Sequence, residues 1–296
     1  MQKNNEPTPI DGIRYFQPKT GYRLTGRDDL VNIPLDDLPL PLQTADYAVA
    51  EEQGEPDYDQ VGNGIYHALR YNPDCHNAAR YADLLQQAYP HIIAEIGGEI
   101  IMLDAKEVDV PYLDRKVALL RIMALISPEN AGLWRETGRT LMERGNRLEA
   151  THLAVKSWFG AEKFLAKSLE LEPDDLHTVY QYGEVHYMLG HYDEAVQHWQ
   201  GIIDKCSPDE RKNLEERITA IKNNTLPRVP PVDYLTALAA AFELYMEGEL
   251  QEAAAIVEDV LADQVFSGQF SPTGIRGFLD KCHGKTEAGC SVKGHC

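Results

Sequence analysis

Apolar and polar positions in the middle of the chain recur with the three- and four-residue steps of amphipathic helices. The stretch 172–206 shows this most clearly. Gly183 falls where two helices would cross, Gly190 marks a turn seven residues later, and Trp199 lies on the apolar side of a second helix. Pro208 then ends that second helix. This pattern predicts two helices joined by a short turn.

The same order of residue types recurs on both sides of this stretch. Gly138 with Gly145 repeats the seven-residue step, and Ala241 with Gly248 repeats it again with alanine at the crossing. The three units resemble the tetratricopeptide repeat (TPR), a helix-turn-helix motif of about 34 residues. The resemblance covers residues 111–265. It implies an all-α, TPR-like α-solenoid of helix-turn-helix repeats with additional irregular helices.

The intervals between the crossing positions are longer than in a regular array. Gly138 and Gly183 are 45 residues apart, and Gly183 and Ala241 are 58 apart, against about 34 for uninterrupted repeats. An overlong second helix predicted over 147–171 accounts for part of the surplus. A charged inserted helix predicted at 209–224 accounts for more. These additions predict an irregular superhelix.

The first 57 residues follow a different pattern. They contain seven prolines and several acidic pairs, a composition that disfavours regular helices. Apolar residues alternate between Ile33 and Leu42, so we expect an extended segment along the helical body, with a disordered tail as the alternative. Helices are predicted over 58–110, including one long helix from Cys75 to Leu103.

The charge of the chain restricts its partners. It has 47 acidic and 28 basic residues, a net charge of −19. Nucleic acids and anionic membranes attract basic surfaces, so both are disfavoured. No export signal is recognisable, and the most apolar window, 91–103, is shorter than the roughly 20 residues that span a bilayer. We therefore expect a cytoplasmic protein without membrane insertion that binds another protein, and a homo-oligomer remains open.

The TPR resemblance also implies where a partner would bind. In TPR proteins, the first helix of each unit lines a concave groove that holds a peptide or a helix. The corresponding peptide-binding positions here are Arg135, Arg139, His177, Tyr180, Gln181, Glu184, Tyr187, Phe242 and Tyr245. The two arginines are one helical turn apart and could converge on a carboxylate. Alternatively, each could pair with an acidic residue of the chain. The resemblance favours a non-catalytic scaffold or adaptor.

A second hypothesis rests on the C-terminal region, 266–296, predicted to be a helix followed by a tail. The tail contains the candidate metal ligands Cys282, His283, Cys290, His295 and Cys296. Thiolates and imidazoles bind zinc, and thiolates hold iron–sulfur centres. The close Cys-x-x-Cys pair of known zinc motifs is absent. Thiol exchange or a reduced tail without metal are the alternatives. The alternative function is thus a metal- or thiol-dependent protein.

No catalytic residue set stands out in the sequence. Glu184, His186 and His191 are near one another, but their spacing does not match a helical metal motif such as His-Glu-x-x-His. Gly62 and Gly64 form only a Gly-x-Gly without a preceding strand, which does not predict a dinucleotide site. An enzymatic function is therefore not expected.

Overall fold

The computed structural model describes residues 10–26, 31–35, 37–105, 109–147, 154–270 and 272–284. In this part of the chain, 14 α-helices and four short strands are present, so the predicted all-α fold class is confirmed. Contacts between residues divide the chain into two compact units, Met1–Trp134 and Arg135–Cys296. Among the described helices, none is both long and apolar enough to cross a membrane.

The first unit begins with two small antiparallel sheets. Their strands are β1 (Ile13–Phe16), β2 (Arg23–Thr25), β3 (Asn32–Pro34) and β4 (Leu40–Gln43). Strand β1 pairs with β4, and β2 pairs with β3. Leu35, Leu38, Leu40 and Leu42 are all buried. The extended segment predicted from their alternation is therefore confirmed, and its leucines contribute to the core of this unit.

Five complete helices follow in the described part of the first unit. They are α1 (Thr44–Gln53), α2 (Tyr58–Tyr71), α3 (Ala78–Ala88), α4 (Pro90–Asp104) and α5 (Val110–Ile126). Helix α1 corrects the expectation that residues 1–57 contain no regular helix, because its ten residues include no proline. The single helix predicted from Cys75 to Leu103 is also wrong. The chain is interrupted at Tyr89, since Pro90 disfavours a helical conformation in the residue before it.

The two glycines of the Gly-x-Gly sequence in α2 have a packing role. A Cβ atom at Gly64 would lie 2.8 Å from the carbonyl carbon of Pro41 and would overlap the carbonyl oxygen. A Cβ atom at Gly62 would lie 2.7 Å from Cδ1 of Tyr89. Only glycine therefore allows α2 to approach strand β4 and the Tyr89 ring this closely.

The described residues of the second unit form helices and one short 3-10 segment. Its helices are α6 (Ala131–Gly145, which starts in the first unit), α7 (Ala154–Leu171), α8 (Leu176–Met188), α9 (Tyr192–Ile202), α10 (Pro208–Lys222), α11 (Pro231–Glu247), α12 (Leu250–Ala262), α13 (Gln264–Gln269) and α14 (Pro272–Cys282). The inserted helix predicted at 209–224 corresponds to α10. The helix predicted at 147–171 is seen from Ala154 onward; Arg147 is not helical, and 148–153 lie outside the described residues.

The predicted helix crossings are present in the second unit. A Cβ atom at Gly183 would lie 2.6 Å from Cδ1 of Trp199, and one at Gly138 would lie 2.6 Å from Cγ of Leu165. Trp199 and Leu165 are fully buried. Small residues at these positions therefore let α6 pack closely against α7, and α8 against α9.

Candidate functional site

The two arginines predicted to bind a carboxylate are paired within the chain. Arg135 Nη1 donates to Oδ2 of Asp175 at 2.9 Å, and the same carboxylate caps α8 by accepting from the Thr178 backbone N–H at 3.0 Å. Burial raises the pKa of Asp175, but hydrogen bonds from Thr178 and Arg135 outweigh burial and bring it below its usual value. Arg139 Nε donates to Glu136 at 2.9 Å. The two guanidinium groups thus bind different carboxylates.

Other helices of the unit cover two of the predicted positions on α8. Glu184 forms an ion pair with Arg217 of α10. The Arg217 guanidinium also lies 5.4 Å from the ring centre of Tyr187. Tyr187 is buried, and its hydroxyl donates to Oε1 of Gln269 in α13 at 2.6 Å. These two positions therefore contribute to packing inside the unit.

The remaining predicted positions on α8 are more accessible. His177 is exposed, whereas Tyr180 and Gln181 are half-buried. Burial raises the pKa of Tyr180, and the negative charges of Glu184 and then Glu210 act in the same direction. Since Glu210 belongs to the first turn of α10, α10 lies beside this end of α8 as well.

The predicted positions in the third TPR-like repeat are covered by helix α14. The Phe242 and Tyr245 rings lie 5.9 Å and 5.6 Å from the ring of Phe278, measured between centroids. Phe278 is buried and belongs to α14. These partly buried aromatic side chains of α11 therefore pack against the core of the second unit.

A groove that the repeat pattern did not predict lies between the N-terminal half of α11 and the C-terminal half of α12. It has a volume of about 510 Å³ and is open to solvent. Its lining residues are Arg228, Val229, Asp233, Tyr234, Ala237, Ala255, Ile256, Asp259 and Val260. The floor is mainly apolar, and charged groups lie at the rim. In the sequence, Ala237 and Ala255 resemble ordinary small core residues, so no signal indicated the groove.

A buried carboxylate holds the segment before α11 against the end of α12. Asp263 is 5% exposed and accepts hydrogen bonds from the Arg228 backbone N–H at 2.7 Å and the Tyr234 hydroxyl at 2.8 Å. It also caps α13 through the N–H groups of Val265 and Phe266. Burial raises the pKa of Asp263, but these hydrogen bonds lower it below its usual value. The network fixes one end of the groove.

The predicted metal ligands of the C-terminal region are described only in part. Cys282 is 3% exposed and belongs to the apolar core, and burial raises the pKa of its thiol. This disfavours the thiolate form that binds metals. His283 Nε2 lies 3.2 Å from Oε1 of Glu258. Cys290, His295 and Cys296 lie outside the described residues.

A second group of metal-ligating side chains is formed by residues of α7, α8 and the α8–α9 turn. Glu162, His186 and His191 each offer a ligand atom, and these atoms all lie within 4.8 Å of one another. Burial, and then the neighbouring His198 and His191, lower the pKa of His186 to about 4. Its imidazole is therefore neutral at pH 7. The sequence contains no motif that links Glu162 to the two histidines.

Comparison of the chain with protein-family models, with curated proteins and with solved structures finds no match. The resemblance to TPR proteins thus rests on the residue pattern of the three helix-turn-helix repeats. Two features of the structure bear on function, the groove between α11 and α12 and the histidine–glutamate group.

Proposed function

We propose that this chain is a non-catalytic interaction scaffold that binds a segment of a partner protein in the groove between α11 and α12. The observation that carries the proposal is the groove itself, which combines an apolar floor with a charged rim. Its volume of about 510 Å³ falls within the range of about 300–1,000 Å³ typical of ligand sites. Apolar floors with polar rims are also typical of protein interfaces.

Charge indicates the kind of segment that would bind. Asp233 and Asp259 are exposed at the rim, where Arg228 pairs with Asp259, and Glu252 and Glu258 are exposed on the same helix as Asp259. The whole chain has a net charge of −19. A basic segment would be attracted to this surface, and one large apolar side chain would supply the buried anchor. We therefore propose a basic segment with an apolar anchor as the ligand.

This proposal shifts the binding site away from the positions that the TPR resemblance implies. Arg135, Glu184 and Tyr187 are engaged by other residues of the chain, so a partner could reach them only if these contacts were broken. His177, which lies on the same helix as Glu184 and Tyr187, is exposed. The concave groove that the TPR resemblance implies, lined by the first helix of each repeat, therefore remains the competing location for the same function.

The test is a selection from a library of displayed peptides against the full chain, followed by affinity measurements. The variant Ala255→Tyr places a large side chain in the groove from an exposed position. The control Ala262→Tyr adds the same side chain at an exposed position of the same helix, outside the groove. We expect basic peptides with one apolar anchor, at least tenfold weaker binding to A255Y, and unchanged binding to A262Y.

Two results would contradict the proposal. One is a selection that yields no specific peptide. The other is a set of peptides whose affinity does not change in A255Y but is lost in the double variant Arg135→Glu/Arg139→Glu. That second result would place the binding site in the concave groove that the TPR resemblance implies.

A further inference from the structure

The turn between α8 and α9 brings two histidines together. Gly190 adopts a left-handed conformation with φ of +83°. The His191 N–H donates to the His186 carbonyl at 2.8 Å, and the Gly190 N–H donates to the Tyr187 carbonyl at 3.1 Å. This pair of hydrogen bonds defines the Schellman motif, in which the side chains of the first and last residues are adjacent. The backbone of the turn thus places His191 against His186.

The same turn elsewhere in the chain lacks histidines. At Gly248, the Glu249 N–H donates to the Leu244 carbonyl at 2.9 Å, and the Gly248 N–H donates to Tyr245 at 3.1 Å. Leu244 and Glu249 therefore occupy the positions of His186 and His191. Since these two positions usually make an apolar contact, the turn itself does not require an imidazole pair.

The distance between the two imidazoles matches the spacing of two metal ligands. The Nδ1 atoms of His186 and His191 are 3.4 Å apart. Two nitrogens bound to zinc at about 2.0–2.1 Å with tetrahedral geometry are separated by about 3.3–3.4 Å. The Glu162 carboxylate of α7 offers a third ligand atom within 4.8 Å of both. His186 is 7% exposed, so its imidazole is held in place by the surrounding core.

Two neighbouring rings restrict the orientation of His186. The His198 ring stacks on it, with centroids 5.3 Å apart and an interplanar angle of 21°. The Tyr182 ring packs edge-on against it at 4.5 Å. A fixed ring orientation lowers the entropic cost of binding an ion. His191 is exposed and Glu162 is half-buried, which leaves a path from solvent to the ligand atoms.

We propose that Glu162, His186 and His191 bind one divalent transition-metal ion, and that zinc fits this donor set best. Two imidazoles and one carboxylate are a known zinc ligand set, and the fourth position would be taken by water. The ion would connect α7 to the α8–α9 turn. This site is independent of the proposed groove.

The test is titration of the metal-free full chain with Zn²⁺ by calorimetry and with Co²⁺ by absorption spectroscopy. His191→Ala and Glu162→Gln each remove one ligand at a position that is not fully buried, so both variants should fold. His177→Ala is the matched control, because His177 is an exposed histidine of α8 outside the group. The double variant Cys290→Ser/Cys296→Ser separates this site from metal binding by the C-terminal cysteines.

The expected result is one equivalent of metal per chain and a Co²⁺ spectrum without the charge-transfer band of thiolate ligands. Affinity should fall at least tenfold in H191A and in E162Q, and it should be unchanged in H177A and in the double cysteine variant. The proposal is overturned if the full chain binds neither ion at micromolar concentration. It is equally overturned if binding persists in H191A and E162Q, or if the Co²⁺ complex shows a thiolate band that the cysteine variant removes.

Discussion

The two units both use glycine for close packing, but against different parts of the chain. In the first unit, Gly64 of α2 lies against the backbone of β4 at Pro41. In the second, Gly183 of α8 lies against the side chain of Trp199 in the next helix. A backbone contact of the first kind joins residues far apart in sequence and cannot adjust by a change of rotamer. A side chain such as Trp199 can adjust in part.

Polar contacts of the two units differ in the groups that make them. In the first unit, tyrosine hydroxyls donate to backbone carbonyls across long sequence separations, as Tyr22 does to Pro56 at 3.0 Å and Tyr81 to Pro39 at 2.6 Å. In the second, the carboxylates of Asp175 and Asp263 cap helices and tie neighbouring elements together. The first unit therefore depends more on its proline-rich segment, and the second on carboxylates that join its helices.

The largest effect is expected for Gly64→Ala, because the added Cβ would overlap the Pro41 carbonyl group. We expect a loss of at least about 3 kcal/mol in the free energy of unfolding. Gly98→Ala is the control, since Gly98 is an exposed glycine of α4 with open space around it. It should be neutral or stabilising by about 0.5–1 kcal/mol. Urea denaturation measures both, and equal stabilities would contradict the described packing of α2 on β4.

A smaller loss is expected for Gly183→Ala, because Trp199 is fully buried but can shift as a side chain. We expect a loss of about 2–3 kcal/mol in the free energy of unfolding. The matched control is Gly201→Ala in α9, where nothing lies within 4 Å of the added atom. Thermal unfolding should separate the two variants clearly. A G183A protein as stable as the G201A protein would mean that α8 and α9 do not cross at this glycine.

Asp263→Ala should lower the free energy of unfolding by about 2 kcal/mol, since it leaves buried donors without an acceptor. Asp259→Ala, at a side chain that is 72% exposed, should lower it by less than about 0.5 kcal/mol.

Asp263 also contributes to the pH dependence of stability. Its folded pKa is below the usual value of 3.8, so the folded state holds fewer protons than the unfolded state in acid. The stabilisation is therefore present above pH 3.8 and is lost as the pH falls through the folded pKa.

Comparing denaturation at pH 6 and at about pH 3 tests this pH dependence. The wild-type protein should lose more stability between the two values than the Asp263→Asn variant, which cannot ionise at this position. An identical loss in both proteins would show that Asp263 does not contribute to the acid sensitivity.

The smallest effect is expected for Tyr81→Phe, which removes only the hydroxyl that donates to Pro39. The loss should be about 1 kcal/mol, the typical contribution of a buried hydrogen bond. Tyr71→Phe is the control, because Tyr71 is 65% exposed. Denaturation curves that coincide for the two variants would indicate that the hydroxyl of Tyr81 contributes nothing to holding the proline-rich segment.

What the sequence predicted correctly is local. The crossings at Gly138 and Gly183 could be recognised because the helices that meet are neighbours along the chain. The break at Tyr89 was missed because the apolar periodicity continues past Pro90 and outweighed the proline in the prediction. Helix α1 does not show in the composition, because its ten proline-free residues lie within a proline-rich region.

The rest of the candidate site depends on distant residues. Glu184 pairs with Arg217, and Phe242 packs against Phe278, across separations that no repeat pattern specifies. The same holds for Glu162, which α7 places next to His186. A residue pattern can place a side chain on one face of a helix, but it does not show which other helix will cover that face.

The central claim is that a partner segment binds between α11 and α12, and methyl NMR tests it most directly. The Ile256 methyl groups lie in the groove. Met142 lies in α6, three residues after Arg139, and so reports on the helix face to which the TPR resemblance assigns the partner. Titration with a selected basic peptide should shift the Ile256 signals and leave the Met142 signal unchanged. Shifts at Met142 without a change at Ile256 would contradict the claim.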